Sequence, residues 1–164
     1  TDLSKIRLKN TIKKQGLKNK IEAKKADILK LPFKKQEIDI VCCLEVLEHI
    51  KNLKKAAKEL KRITNKYLVV SVSLTEDIRH EICIHCGKRT PRFGHIHRFE
   101  EKDLINVFED KNFKHHKSIS LCPKFVKLLS KTKTPMWLIK FFDLFLRPKH
   151  NKSIWIVSVF KRVG

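Results

Sequence analysis

An acidic residue at the end of an apolar segment is the first feature of this sequence that could do chemistry. Asp27 follows residues 21–26, whose composition predicts a short strand. In an open α/β sheet, ligands bind beyond the carboxyl ends of the strands, so an acid in that position faces a binding crevice. The sequence therefore predicts a ligand contact for Asp27, and the alternative is an ordinary turn acid.

Two cysteines and two histidines in the second half have the spacing of a metal site. Cys83 and Cys86 form a C-x2-C-G turn, and His95 and His97 follow after a short loop. Zinc prefers thiolates and imidazoles in closed tetrahedral sites, so these four residues are predicted to bind structural zinc. Neighbouring histidines are alternative ligands. Without metal, the same stretch would be an exposed insert with free thiols and hydrogen-bonding histidines.

A third group of chemically capable residues follows the apolar run 38–43. Glu45, Glu48 and His49 are spaced so that the two acids lie one helical turn apart on a single face. Such a group is suited to acid–base catalysis. The alternative is that these side chains only lie on a solvated surface. A reaction between two well-aligned reactants does not require a catalytic base.

Alternating apolar runs and helical patterns must position these groups. Residues 38–43 and 67–72 predict buried strands, and residues 53–63 predict an amphipathic helix that begins after Asn52. A strand, a helix and a strand with short joints favour a parallel pair. Two more strands are predicted later, at 117–121 and 154–160, and the last has the alternation of an antiparallel or edge strand.

The stretch from Asp27 to Ser73 resembles class I S-adenosylmethionine-dependent methyltransferases of type 11. The resemblance is carried by DILKLPF at 27–33, IDIVCCLEVLEHI at 38–50, ELKRI at 59–63 and YLVVSVS at 67–73, in the family's order and at its intervals. It implies an α/β fold with a Rossmann-like parallel sheet and a C-terminal antiparallel strand, in the family's strand order 3-2-1-4-5-7-6. Residues 75–98 would be a Cys/His-rich insert, in a region where the family builds acceptor pockets and where a lid is expected.

The resemblance also implies roles for particular residues. Asp27 would accept a hydrogen bond from the adenine amino group, and the N–H of Ile28 would meet a ring nitrogen. Asp2 would hold the ribose hydroxyls. The turn after the family's fourth strand lines the cofactor and admits the methyl acceptor, and its residues here are Cys43, Leu44 and Glu45. The implied cofactor is S-adenosyl-L-methionine, and the implied acceptor is a small or lipid-like molecule.

The family's glycine-rich loop has no counterpart in this sequence. The four glycines stand at 16, 87, 94 and 164, and no two are close enough to form a loop whose backbone approaches a cofactor. Because the chain begins at Thr1 and its single methionine is Met136, it is expected to be the C-terminal part of a longer enzyme. Residues 1–164 alone are then expected to bind S-adenosylmethionine poorly or not at all.

Two alternatives to an active enzyme follow from the sequence, one from its charge and one from its glycines. The chain has 38 Lys and Arg against 17 Asp and Glu, a net charge of +21. Such a surface suits polyanions, so a basic zinc-containing module that binds nucleic acid is one alternative. The missing glycines suggest the other, a degenerate methyltransferase relative without catalysis.

Residues 123–149 form a basic, aromatic segment with a helical pattern. We expect it to pack on the domain or cover a pocket, and its apolar stripe with cationic flanks also suits peripheral contact with an anionic membrane. Nucleic-acid contact is a weaker alternative because the aromatic residues cluster on one side. The start of the sequence has no basic region followed by the apolar stretch of a secretion signal, so a cytoplasmic setting with five reduced cysteines is expected.

Overall fold

The computed structural model describes residues 10–16, 20–74, 78, 80–123 and 153–163 of the chain. A short helical stretch, α1, covers residues 10–14. Two longer helices follow, α2 (Leu53–Ile63) and α3 (Glu101–Phe108), with 3₁₀ turns at Leu47–His49 and Arg92–Gly94. The strands are β1 (Ile38–Leu44), β2 (Thr64–Ser73), β3 (His80–Ile82), β4 (Arg89–Pro91), β5 (Phe113–Pro123) and β6 (Ser153–Arg162).

Four strands form the main sheet in the order β1-β2-β6-β5. β1 and β2 are parallel, with Val41 opposite Leu68, and β6 runs antiparallel to both of its neighbours, β2 and β5. This order matches the 4-5-7-6 half of the strand order implied by the resemblance. The predicted α/β class, the parallel pair and the antiparallel last strand are therefore confirmed.

One prediction about strands was wrong. Residues 21–26 form no regular structure, and Asp27 and Lys30 form an isolated bridge at a turn. Among the described residues, no strand lies beside residues 21–26, so the backbone of this segment has no neighbouring strand to hydrogen-bond with. β6 takes the antiparallel position, one of the two predicted for it, and it lies inside the sheet because the long strand β5 pairs along its outer side.

Apolar residues of α2 cover one face of the sheet. Ala56, Ala57, Leu60 and Ile63 are buried at the spacing of one helical stripe. Phe160 of β6 meets Phe108 of α3 with ring centroids 5.3 Å apart, so α3 packs against the same core. Among the described strands, β1 lies at the edge of the main sheet, and its Ile40 is 59% exposed.

The end of β6 fastens α2 to the sheet. Arg162 donates from Nε to the carbonyl of Thr64 at 3.0 Å and from Nη2 to the carbonyl of Lys61 at 2.6 Å. Its guanidinium also lies 4.5 Å from the ring centroid of Phe113. One cation therefore satisfies orphan carbonyls at the C-terminal end of the helix and stacks on a buried aromatic ring.

The predicted N-cap of α2 gives a simple stability test. Asn52 Oδ1 accepts from the amide of Lys55 at 3.1 Å, as its position before the apolar stripe predicted. Asn52→Ala is expected to lower the free energy of unfolding by about 1 kcal/mol, since that amide loses its partner. Urea denaturation measures the change, with exposed Lys51→Ala as the control. Equal stability of both variants and the parent chain would contradict the assignment.

Of the predicted basic segment 123–149, all but Pro123 lies outside the described residues. Asp2 also lies outside them. Among the helices that the structure describes, none is long and apolar enough to cross a membrane.

Candidate functional site

The carboxyl ends of β1 and β2 are joined by a strained turn at Glu45. This residue has a φ of 54°, which non-glycine residues seldom adopt. Its amide donates to the carbonyl of Ser71 at 3.1 Å. Its carboxylate accepts from the hydroxyls of Ser71 at 2.7 Å and Ser73 at 3.2 Å. The turn is thus held from both strands, and strain held in this way is typical of functional sites.

Residues Cys43 and Leu44 before this turn point in opposite directions. Leu44 is 53% exposed, whereas Cys43 is 5% exposed and packs in the core. Burial, together with the charge of Glu48, raises the pKa of the Cys43 thiol to about 12. The Cys43 thiol therefore stays protonated and points into the core, so only the backbone of Cys43 is available at the carboxyl end of β1. The exposed Leu44 side chain offers an apolar surface there.

Asp27 occupies a tight turn at some distance along the chain from Glu45. Its Oδ1 accepts from the amide of Leu29 at 2.9 Å, and its carbonyl accepts from the amide of Lys30 at 3.0 Å. The carboxylate is exposed, while Ile28 is half-buried and packs against the core. The structure therefore shows an Asx turn that holds an accessible carboxylate beside a packed apolar residue.

An ion pair on α2, which the sequence analysis did not identify as functional, holds the segment that follows Asp27. Arg62 binds Glu59 through Nε and Nη2, both at 2.8 Å. Arg62 also donates to the carbonyls of Phe33 at 2.7 Å and Leu31 at 3.1 Å, and Glu59 accepts from the amide of Leu31 at 3.0 Å. The signal in the sequence was the pair of opposite charges three residues apart in ELKRI. The sequence did not indicate the backbone groups that this pair binds.

This pair makes stability depend on pH. The Arg62 hydrogen bonds lower the pKa of Glu59 to about 2, with Glu59 17% exposed. A carboxylate with a lowered folded pKa stabilises the fold above its ordinary value near 4.5 and loses that contribution as the pH falls through about 2. We expect the parent chain to lose about 1–2 kcal/mol more than Glu59→Gln between pH 5 and 2, after a discount for solvent screening. Urea denaturation at stepped pH measures it, and parallel curves would contradict the prediction.

Glu48 is buried behind the turn, in the 3₁₀ helix after β1. It is 1% exposed, and burial raises the pKa of its carboxyl. Its Oε1 accepts weakly from the amide of Ser73 at 3.4 Å, and its Oε2 has no hydrogen-bond partner among the described residues. Burying a carboxylate oxygen without a hydrogen-bond partner lowers the stability of the fold, so packing alone does not explain why an acidic residue stands here.

The predicted zinc ligands lie in two separate places. Cys83 and Cys86 share the turn between β3 and β4, where the amide of Gly87 donates to the carbonyl of Cys83 at 2.8 Å. Backbone amides of this turn lower the pKa of the Cys83 thiol, the leading donor being His85. His95 instead lies beside His49, with ring centroids 4.9 Å apart, and His97 Nε2 donates to the carbonyl of Ile50 at 2.8 Å. The predicted C-x2-C turn forms, but the structure does not bring its thiols to the two histidines.

A separate cleft of about 570 Å³ lies between α2 and α3. Its lining carries six basic side chains, Lys35, Lys54, Lys58, Lys61, Arg62 and Arg162. Three of the six are engaged internally, since Lys61 pairs with Asp110 at 2.8 Å, Arg62 pairs with Glu59 and Arg162 binds backbone carbonyls. None of the lining residues belongs to the carboxyl ends of β1 and β2. The cleft is therefore distinct from the Glu45 turn.

Comparison with known proteins agrees with the resemblance. Residues 1–69 match the family Methyltransf_11, described as a methyltransferase domain. The protein MJ0638 of Methanocaldococcus jannaschii is 32% identical over 144 residues, which are 85% of this chain and 56% of that protein. The chain thus spans about half the length of this curated relative.

Solved structures share the fold. A SAM dependent methyltransferase from Aquifex aeolicus aligns with a TM-score of 0.56 at 16% identity, over 94% of this chain and 61% of that one. Geranyl diphosphate C-methyltransferase from Streptomyces coelicolor A3(2), solved with Mg²⁺, geranyl diphosphate and S-adenosyl-L-homocysteine, aligns with a TM-score of 0.57 at 13% identity, over 93% and 56%. At these identities the likeness shows the fold alone.

Proposed function

We propose that this chain, which belongs to the class I methyltransferase family, serves S-adenosylmethionine-dependent methyl transfer to a small or lipid-like acceptor. It would supply the adenosine-facing and acceptor-facing part of the site. The observation that carries the proposal is the strained Glu45 turn, which lies at the carboxyl ends of parallel strands β1 and β2. The 69-residue match to the methyltransferase domain covers this turn and Asp27.

The donor groups at these positions suit a nucleoside. Asp27 offers an exposed carboxylate for an exocyclic amino group, and the neighbouring Ile28 amide would meet a ring nitrogen. Leu44 offers an apolar surface next to the Glu45 turn, and Cys43 contributes backbone. Asp2, outside the described residues, remains a proposed ribose ligand. When bound, S-adenosylmethionine supplies an electrophilic methyl group on a sulfonium.

The role of these residues is to bind and orient. Cys43 is no nucleophile, because a thiol with a pKa of about 12 stays protonated at neutral pH. Glu45 keeps the turn in one conformation through its hydrogen bonds to Ser71 and Ser73. Alignment of a methyl donor with a nucleophilic acceptor accounts for most of what such a site must do. The segment 75–98, which contains the β3–β4 hairpin, is our candidate for a lid over the acceptor.

Photo-crosslinking tests the proposal even for weak binding. The chain is irradiated with methyl-labelled S-adenosylmethionine, with S-adenosylhomocysteine or ATP as competitor. We expect label in the peptides that contain Asp27 or Leu44, displaced by S-adenosylhomocysteine and not by ATP. Asp27→Asn should reduce labelling about tenfold, since asparagine replaces one accepting carboxylate oxygen with an NH2 group that only donates. Label confined to other peptides, or resistant to S-adenosylhomocysteine, would contradict the proposal.

The basic cleft supports a second candidate function, binding of a polyanion such as RNA. Lys35, Lys54 and Lys58 line it without an ion-pair partner among the residues the structure describes. Affinity for RNA should then fall steeply as salt rises, whereas cofactor labelling should barely respond. Filter binding across a salt series separates the two. Salt-independent binding, or binding unaffected by Lys54→Ala with Lys58→Ala, would remove this candidate.

A further inference from the structure

The buried carboxylate of Glu48 lies beside two imidazoles. A carboxylate oxygen of Glu48 and one ring nitrogen each of His49 and His95 lie within 4.8 Å of one another. Glu48 is buried, His49 is exposed and His95 is half-buried, so the group opens from the interior toward solvent. Glu48 Oε2 has no other partner in the described part of the chain. We infer that Glu48, His49 and His95 form a binding site for one divalent transition-metal ion.

Backbone contacts hold the two histidines together. The carbonyl of Glu48 accepts from the amides of Ile96 at 2.8 Å and His97 at 3.3 Å, which fixes the loop that carries His95 against the 3₁₀ helix. The amide of His95 donates to the carbonyl of Arg92 at 3.3 Å. The two contacts to Glu48 span 48 and 49 positions of sequence, so spacing rules could not predict this pairing. The loop that carries His95 is therefore held beside His49 before any ion binds.

Hydrogen bonding also sets the histidine tautomer. His49 Nδ1 lies 3.1 Å from the carbonyl oxygen of Gly94, and a carbonyl only accepts, so Nδ1 carries the proton. In the neutral ring, Nε2 then has a free lone pair. A ligating histidine whose other nitrogen donates to a backbone carbonyl is the usual arrangement at metal sites.

The donor set selects the class of ion. Two imidazole nitrogens and one carboxylate oxygen suit zinc, cobalt, iron or manganese better than magnesium or calcium, which prefer oxygen ligands. Bonds of about 2.0–2.2 Å place ligand atoms about 3–3.5 Å apart. The three atoms lie within 4.8 Å of one another and must therefore close by up to about 1–2 Å, which rotation of two histidines that are not buried can supply. The nearby Glu45 carboxylate adds negative charge.

This inference competes with the zinc set predicted from sequence and does not rest on the proposed function. Both sets contain His95, but the earlier set adds the thiols of Cys83 and Cys86. Cobalt distinguishes them, because thiolate ligands produce a strong near-ultraviolet charge-transfer band that nitrogen and oxygen ligands do not.

The test is titration of the chain with Zn²⁺ and Co²⁺, with Mg²⁺ at equal concentration as the control ion. We expect one equivalent of Zn²⁺ to bind in Cys83→Ser/Cys86→Ser, with a Co²⁺ spectrum free of thiolate charge transfer. In that background, His95→Ala and His49→Ala should weaken Zn²⁺ binding at least tenfold, and His116→Ala, an exposed histidine on β5, should not. Glu48→Gln should do the same if circular dichroism shows it folded. Loss of all Zn²⁺ binding in the cysteine double variant, or unchanged affinity in His95→Ala and His49→Ala, would overturn the inference.

Discussion

Arg62→Met is expected to lower the free energy of unfolding by about 2–3 kcal/mol. The substitution removes the cation from Glu59, which is 17% exposed, and removes the donor from the carbonyls of Leu31 and Phe33. Methionine preserves much of the side-chain volume, so the loss reports hydrogen bonds and charge rather than a cavity. Urea denaturation at neutral pH measures the effect.

Local exchange shows whether Arg62 acts through the Asp27 segment. The amide of Leu31 donates to Glu59, and in Arg62→Met its hydrogen exchange should accelerate more than that of core amides such as Leu68. Arg62→Lys should not restore protection, because one ammonium cannot reproduce the planar set of donors. Lys58→Met, at an exposed position of the same helix, is the matched control and should change stability by less than about 0.5 kcal/mol. Parent-like exchange at Leu31 in Arg62→Met would contradict the role.

Glu45→Ala and Glu45→Gly together are expected to separate backbone strain from carboxylate contacts. Both variants lose the hydrogen bonds from Ser71 and Ser73, so each should lose about 1–2 kcal/mol of unfolding free energy. The φ of 54° is unfavourable for alanine, whereas glycine adopts it freely. Glu45→Ala should therefore be less stable than Glu45→Gly by about 1 kcal/mol.

Cofactor labelling of the same pair tests the proposed site. If the carboxylate orients the turn, both variants should lose about tenfold in S-adenosylmethionine crosslinking, even though Glu45→Gly relieves the strain. Glu37→Ala, which removes a carboxylate before β1, is the control and should label like the parent chain. Parent-like labelling of Glu45→Gly would show that the turn conformation matters and the carboxylate does not.

The sheet was predictable because its signals are local. Apolar runs at 38–43 and 67–72 with the amphipathic pattern of α2 between them indicated a parallel pair, and Asn52 marked where the helix begins. Residues 21–26 carried the composition of a strand, but a strand also needs a hydrogen-bonding neighbour, which composition does not report. The same limit left two positions open for β6, antiparallel or at an edge, and the pairing with β5 shows the antiparallel one.

The site was predictable only in part. Glu45 was identified from its place after β1, yet its positive φ and its serine partners depend on the pairing of β1 with β2. His95 was assigned to Cys83 because they are close in sequence, whereas backbone bonds to Glu48 hold its loop beside His49. Arg62 binds Leu31 and Phe33 through their backbone carbonyls. Every residue has a carbonyl, so residue types do not indicate such contacts.

Chemical-shift mapping with S-adenosylhomocysteine tests the central claim most directly. Amide spectra of the labelled chain are recorded as the ligand is raised to about 1 mM, where even weak contacts are populated. The account predicts saturable shifts centred on Ile28, Leu44 and Glu45, and their loss in Asp27→Ala. Saturable shifts centred instead on the cleft between α2 and α3 would contradict it.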